Sequence, residues 1–162
     1  MNEGSVTHSS FVIERSYPVV PKRVFAAFAD PAKKRRWFAD EDEGEIEEFE
    51  MDFRVGGREW RRSRMGPNTP FPGTPLTNET VYQDIVPERR IVVAYTMAVG
   101  ERRISASLAT FEFLATQQGT LLVFTEQAAF FEGADGTKLR QKGWEALLNR
   151  LGETLAVNEG AG

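Results

Sequence analysis

The sequence predicts an α+β domain in which a long C-terminal helix lies against an antiparallel sheet. Two successive runs, RISASLATFEFLA and TLLVFTEQAAF, alternate bulky apolar residues with polar ones, as strands with one buried face do. The run that follows, TKLRQKGWEALLNRLGETLA, instead places its apolar residues on one helical face. That face must pack against another element, and the sheet supplies one. The residues of this face are Trp144, Leu147, Leu148, Leu151 and Leu155.

The N-terminal part of the chain predicts one strand and two short helices. The strand is FVIERSYP. Pro21 favours the first turn of a helix PKRVFAAFA, because a proline loses no hydrogen bond there. Asp30 as N-cap and Pro31 in the first turn repeat the pattern for a second short helix, which ends near Trp37 and Phe38.

The middle of the chain predicts further strands separated by turns. The acidic run Asp40 to Glu48 is expected to form a solvated face, and Gly56-Gly57 precedes a strand REWRRSR. The stretch MGPNTPFPGTPLT is rich in proline and is expected to lack regular structure, either as a loop over the mouth of a cavity or as a plain surface loop. Two strands, ETVYQDIV and RRIVVAYTM, follow, and a turn at Gly100 leads into the strands described first.

Composition and motifs exclude several classes of function. The 20 basic residues are interleaved with 24 acidic ones, which gives a net charge of −4 and no reason to expect nucleic acid as a partner. No apolar run spans a membrane and MNEGSVTHSS is not a signal peptide, so we expect a cytoplasmic protein without a membrane partner. Cysteine is absent, and the single histidine, His8, falls in a segment expected to be mobile. We therefore expect no metal, no cofactor and no Ser–His–Asp triad.

Four motifs in order suggest a family. They are FRVGGRE, IVPERRIVVAY, a Gly-Thr pair followed by a strand containing TEQ, and GW-x₂-LL-x₂-L. Together they resemble the START-like, Bet v 1-like (SRPBCC) superfamily, and within it the small bacterial proteins related to the activator of heat-shock protein 90 ATPase. The resemblance implies a single domain over residues 1–162, with an ordered core of about residues 9–157. It also implies a helix-grip fold: a curved antiparallel sheet of about seven strands around the C-terminal helix, with two short helices after the first strand.

The resemblance also implies a function. Members of the superfamily mostly bind hydrophobic or aromatic small molecules, so we favour a binding protein with an internal cavity and no catalytic activity. Two alternatives stay open. One is an enzyme like the polyketide cyclases or dehydratases, with Glu126 or Glu59 as general acid–base and Tyr95 as hydrogen-bond donor. The other is a chaperone-interacting module. A homodimer formed through strand edges or the proline-rich loop is a further expectation.

Strand parity predicts two inward-facing carboxylates. Glu126 shares the parity of Leu122 and Phe124, which points it toward the apolar interior. A buried carboxylate is costly unless paired or protonated, so it often serves binding or proton transfer. The structural alternative is that Glu126 reaches water at a strand end or pairs with an arginine such as Arg61. In the strand REWRRSR only one of the two alternating sets of side chains can face inward. We favour the set that contains Glu59, Arg61 and Ser63.

These considerations predict a pocket between the second short helix, the sheet and the long helix. Gly143, a weak helix former, is expected where something approaches the backbone of the long helix closely. A leucine at this position is expected to fill part of the cleft. The predicted pocket residues are Trp37, Phe38, Glu59, Tyr95, Phe111, Phe113, Phe124, Glu126, Trp144 and Leu148.

Overall fold

The computed structural model describes residues 5–39, 45–69 and 71–159, so the first part of the acidic run, residues 40–44, lies outside the described residues. Seven strands and three helices form one α+β architecture. The strands are β1 (Thr7–Tyr17), β2 (Glu45–Met51), β3 (Arg58–Arg64), β4 (Pro75–Val86), β5 (Arg90–Val99), β6 (Arg102–Thr116) and β7 (Gly119–Phe130). The helices are α1 (Pro21–Ala29), α2 (Pro31–Lys34) and α3 (Thr137–Glu159), and a π-helical turn (Arg35–Ala39) continues α2.

The strands form one antiparallel sheet in the order β1-β7-β6-β5-β4-β3-β2. Strands β2 to β7 each pair with their neighbours along the chain, whereas β1 lies at one edge against the last strand, β7. The predicted helix-grip architecture is confirmed, with a curved seven-stranded sheet and a long C-terminal helix.

Helix α3 buries the predicted apolar face, with Leu147 half-buried and the other four residues buried. Each fully buried leucine stabilises the fold by about 1.5–3 kcal/mol. The hydroxyl of Tyr17, at the end of β1, donates a hydrogen bond of 2.7 Å to the carbonyl of Leu148 and so ties the helix to the sheet. No helix in the described part of the chain has the length and apolar character needed to cross a membrane.

The two short helices begin as predicted. Pro21 occupies the first turn of α1, and the Asp30 carboxylate accepts hydrogen bonds from the backbone N–H groups of Ala32 and Lys33 at the start of α2. The π-helical turn widens the backbone where Trp37 and Phe38 turn into the core. Both aromatic side chains are buried there.

Two expectations about the boundaries of strands were wrong. His8 does not lie in a mobile segment: β1 begins at Thr7, and His8 stands opposite Ala129 of β7. Residues Thr7 to Ser10 pair with β7 through their backbones. Their side chains do not alternate between apolar and polar, so no sequence pattern marks a strand here. The proline-rich stretch is irregular only as far as Thr74, because Pro75 begins β4. A proline is tolerated at the first position of a strand.

The turn between β6 and β7 lies against the end of β1. Gly119 has a φ of +148°, and a Cβ atom built there would lie 2.3 Å from the carbonyl oxygen of Tyr17. Next to it, the Thr120 hydroxyl donates a hydrogen bond of 2.7 Å to the carbonyl of Val19. Only glycine allows the backbones to approach this closely.

Candidate functional site

An open cleft of about 630 Å³ lies between α3 and strands β3 to β6, with the loop between β3 and β4 along one side. Its floor is buried and largely apolar. Two exposed side chains, Phe71 of the loop and Leu139 of α3, stand at its rim. The apolar floor residues are Phe38, Tyr95, Ile104 and Trp144, and the polar ones are Arg61, Asn78 and Arg140.

Glu126 lies behind this floor, fully buried. Its Oε1 accepts a hydrogen bond of 2.5 Å from the Tyr95 hydroxyl. Its Oε2 lies 3.4 Å from both the Ser107 hydroxyl and Nη1 of Arg140. Tyr95 and Arg140 line the cleft, whereas Glu126 is not among the described residues that do. The carboxylate therefore contacts the cleft only through these two side chains.

Arg140 commits all five of its N–H groups inside the protein. Its Nε and Nη2 each donate a hydrogen bond of 2.8 Å to the carboxylate of Asp135, and Nη2 also donates at 2.8 Å to the Ser105 hydroxyl. Its Nη1 donates to the hydroxyl of Tyr95 at 3.2 Å and to Glu126 at 3.4 Å. A guanidinium has five N–H donors, so Arg140 is a fully bonded bridge between α3 and the sheet.

Burial controls the protonation of this cluster. Burial raises the pKa of Glu126, and the hydrogen bond from Tyr95 and the charge of Arg140 only partly oppose this rise. Burial, together with the nearby Glu126, also raises the pKa of Tyr95. Burial alone would lower the pKa of Arg140, but the hydrogen bonds to Asp135 and the surrounding negative charge raise it on balance. Tyr95 is therefore a neutral phenol that donates its proton to Glu126.

Glu59 belongs to a second buried cluster. Its Oε1 lies 2.5 Å from Nζ of Lys34 and accepts a 2.5 Å hydrogen bond from the Tyr82 hydroxyl. The Lys34 ammonium also lies 4.7 Å from the centre of the Phe38 ring. Burial, with the adjacent Glu59, raises the pKa of Tyr82. The predicted parity of this strand is confirmed, because Glu59, Arg61 and Ser63 are all buried. This carboxylate pairs with its neighbours inside the protein rather than facing the open cleft.

The structure brings some of the predicted pocket residues to the cleft and packs the others in the core. Phe38, Tyr95 and Trp144 line the cleft. In the concavity between the short helices and the sheet, a space of only about 20 Å³ is left, which is room for one water molecule. The predicted residues buried away from the open cleft are Trp37, Phe111, Phe113, Phe124 and Leu148.

Gly143 lies at the edge of the cleft, where there is open space beside the helix backbone. No protein atom lies within 4 Å of a Cβ atom built at this position, so no other part of the described chain makes the expected close approach to the backbone. The residue is exposed on α3 at the edge of the cleft. A larger side chain here would project into open space.

The polar partners Lys34 and Arg140 were not predicted from the sequence. A signal existed for both, because each lies one helical turn before a predicted inward-facing residue: Lys34 before Phe38 and Arg140 before Trp144. Glu126 pairs with Arg140 rather than with Arg61 or with water at a strand end. Among the described residues, no group of three His, Asp or Glu side chains is placed to hold a metal ion.

A second hollow, of about 810 Å³, lies on the outer face of the sheet. The described residues that line it belong to the sheet or to the turn after β2, so no helix covers it. Exposed Glu48, Glu50 and Glu79 surround Trp60 there. The cleft under α3 has walls from both a helix and a sheet, which makes it the better-formed site.

This fold, with a cleft between the C-terminal helix and the sheet, defines a helix-grip protein of the START-like, Bet v 1-like class. The chain belongs to the Activator of Hsp90 ATPase homolog 1-like family, whose model matches residues 18–156. None of the curated proteins matches the chain.

Solved structures of similar proteins agree with this assignment. An uncharacterized protein from Rhizobium leguminosarum is 39% identical, with 96% of this chain and 99% of that chain covered and a TM-score of 0.87. The Mll3558 protein from Rhizobium loti is 47% identical, with 93% and 99% covered and a TM-score of 0.81. An AHSA1-like protein from Aeromonas hydrophila is 16% identical, with 93% and 94% covered and a TM-score of 0.66, and shares the fold.

Proposed function

We propose that this protein binds a hydrophobic, partly aromatic small molecule in the cleft between α3 and the sheet. The observation that carries the proposal is the open cleft of about 630 Å³ above a buried aromatic floor. Small-molecule sites typically measure about 300–1,000 Å³ and combine apolar walls with a few polar groups. Met65 and Met97 line the cleft as well, and their flexible side chains can adapt to a flat ligand.

The positions of the carboxylates favour binding over catalysis. A general acid–base must come within hydrogen-bond reach of the reacting group. Glu126 is engaged by Tyr95, and Glu59 is engaged by Lys34 and Tyr82. The hydroxyl proton of Tyr95 is itself donated to Glu126, so it is not available to a substrate.

A chaperone-interacting module finds less support. Such a function requires a contiguous exposed apolar surface. The large apolar side chains that are exposed in the described part of the chain are distributed over many elements. Two of them, Phe71 and Leu139, stand together at the rim of the cleft, where they favour entry of a small apolar molecule.

Gly143 provides a direct test. The neutral fluorescent probe N-phenylnaphthylamine is expected to bind the protein with an increase in fluorescence and to raise the melting temperature. The Gly143→Leu variant should bind the probe much more weakly, because the new side chain enters the cleft. It should nevertheless fold with about 1 kcal/mol of added stability, because leucine is a better helix former than glycine and meets no atom within 4 Å.

Gly143→Ala is the matched control. It should gain a similar stability while adding only a methyl group, so its affinity for the probe should stay close to that of the wild type. Absence of probe binding to the wild type, or equal binding by Gly143→Leu and Gly143→Ala, would contradict a ligand site in this cleft.

A further inference from the structure

Resting on the proposed function, we propose that the ligand carries a neutral carbonyl group, whose oxygen accepts a hydrogen bond from the side-chain amide of Asn78. The observation that carries this inference is an amide N–H group in the floor of the cleft that bonds to no other part of the described chain. Asn78 comes from β4, is only 8% exposed and lines the cleft.

The contact with Arg61 fixes the orientation of this amide. Asn78 stands opposite Arg61 of β3, and its Oδ1 accepts a 3.4 Å hydrogen bond from Nη1 of Arg61. A guanidinium has only donors, so the oxygen of the amide faces Arg61 and Nδ2 is directed away from it. No described residue accepts a hydrogen bond from Nδ2, and this atom keeps access to solvent within an otherwise buried side chain.

Asn78 stands in the wall between two cavities. Four residues line both the open cleft and the inner space of about 20 Å³, namely Phe38, Asn78, Tyr95 and Trp144. The other polar hydrogens of this wall are already used, because Nε1 of Trp144 donates to the Tyr95 hydroxyl at 3.2 Å and Tyr95 donates to Glu126. The amide of Asn78 is therefore the open donor of the wall. A ligand that displaces water from Nδ2 must replace the hydrogen bond that the water made.

The charged side chains of the cleft are engaged within the protein. Arg140 donates all of its N–H groups internally, and both oxygens of Asp135 accept hydrogen bonds from it. Arg61 interacts with Asn78 and also elsewhere in the chain. Arg150, half-buried at the edge of the cleft, donates to a backbone carbonyl of the π-helical turn. Selection among ligands in the floor therefore depends on a neutral donor.

A carbonyl matches this donor better than a hydroxyl or an anion does. A hydroxyl brings a proton that needs an acceptor, whereas the Asp135 carboxylate and the Tyr95 hydroxyl each accept two hydrogen bonds already. An anion would lose its hydration and gain only a neutral amide as its partner. The Phe38 and Trp144 rings, 6.0 Å apart, place aromatic surface beside the amide, where the ring system of the ligand would pack.

The test compares two competitors of the same shape. One is the ketone 2-acetylnaphthalene, and the other is 2-isopropenylnaphthalene, in which a methylene group replaces the carbonyl oxygen. Each is titrated against bound N-phenylnaphthylamine, and the ratio of the two affinities, ketone over alkene, is measured. Replacement Asn78→Leu removes the donor and should lower this ratio about three- to tenfold, the loss expected for one neutral hydrogen bond. The alkene should bind at least as well as it binds the wild type.

Gln83→Leu is the matched control. It removes a side-chain amide from the same strand, but Gln83 is exposed and lines the hollow on the outer face of the sheet. Its affinity ratio should equal that of the wild type. A fall of the same size in both leucine variants would overturn the inference, because the effect would then not come from a donor inside the cleft.

Asn78→Asp separates failure to fold from failure to bind. It keeps the size of the side chain and an oxygen for Arg61, but it puts an acceptor in place of the N–H donor. Its affinity ratio should therefore fall at least as far as that of Asn78→Leu, and an unchanged ratio would show the carbonyl inference to be wrong. If the probe binds but the ketone does not displace it, the inference is also wrong while the cleft function stands. If the probe does not bind the wild type, the proposed function itself fails.

Discussion

The buried ion pair between Lys34 and Glu59 allows a quantitative prediction. The two side chains are 8% and 3% exposed, and Nζ lies 2.5 Å from Oε1. Replacement Lys34→Met keeps most of the aliphatic stem, removes the positive charge and leaves the Glu59 carboxylate with the hydrogen bond from the Tyr82 hydroxyl. We expect the free energy of unfolding to fall by about 3–5 kcal/mol, because a buried charge loses its counter-charge.

The double variant shows whether the loss comes from the unpaired charge. Lys34→Met combined with Glu59→Gln removes both charges, and the glutamine oxygen can still accept the hydrogen bond from Tyr82. The double variant should therefore be more stable than Lys34→Met alone. A remaining loss is expected from the cation–π contact between Lys34 and Phe38, which lies at 4.7 Å and contributes about 0.5–2 kcal/mol.

Urea unfolding followed by tryptophan fluorescence measures these differences. In thermal unfolding of a domain of this size, the single replacement Lys34→Met should lower Tm by on the order of 10 °C. Lys33→Met is the control, because Lys33 is the exposed neighbour on the same helix and its replacement should cost little. The reasoning is refuted if Lys34→Met is no worse than Lys33→Met, or if the effects of Lys34→Met and Glu59→Gln simply add.

Two further predictions concern Glu126 and Gly119. Because burial raises the pKa of Glu126 above its ordinary value of 4.5, ionisation costs the folded state more than the unfolded chain. The protonated form of Glu126 therefore contributes its full stabilisation of the fold below pH 4.5. This contribution is lost as the pH rises through the pKa of Glu126 in the folded state. Glu126→Gln should remove this loss, so its stability relative to the wild type should increase with pH in urea titrations above 4.5. Gly119→Ala should lose at least about 2 kcal/mol, from a φ of +148° and a contact of 2.3 Å with the carbonyl of Tyr17. Gly56→Ala is its control, with a φ of +83° and open space, and should lose less.

Specific results would contradict these two predictions. A large loss of stability in Glu126→Gln that stays constant from acid to neutral pH would identify Glu126 as a structural partner of Arg140. Equal losses in Gly119→Ala and Gly56→Ala would show that the φ value alone, and not the contact with β1, sets the cost.

Periodicity predicted the fold and the inward faces well. The strand period of two placed Glu59 and Arg61 on the buried side of β3, and the helical period placed Trp144 and Leu148 against the sheet. These predictions succeed because one buried face per element fixes the parity of every residue on it. The same argument placed Glu126 inside, where the structure has it.

The shape of the free space was less predictable. Parity indicates which side chains face inward, but not whether they touch across the interior. Phe111 and Phe124 pack ring to ring at 4.8 Å, and Phe113 contacts Phe25 and Phe28 of α1, which fills the concavity. The open cleft lies instead toward the start of α3. Its position depends on how α1 and α3 lie on the sheet, and no local pattern encodes this.

The place of β1 in the sheet affects the order of events during synthesis of the chain. The Ser9 hydroxyl near the start of β1 accepts a hydrogen bond from the Thr137 hydroxyl at the start of α3, 128 residues later. On a ribosome β1 emerges before its partner strand β7, and the five strands β2 to β6 are made between them. The hairpins from β2 onward can pair as they appear, because their contacts are local. The nascent β1 must therefore wait with an unpaired edge, and its largely polar first residues, Thr7 to Ser10, limit its tendency to aggregate in that interval.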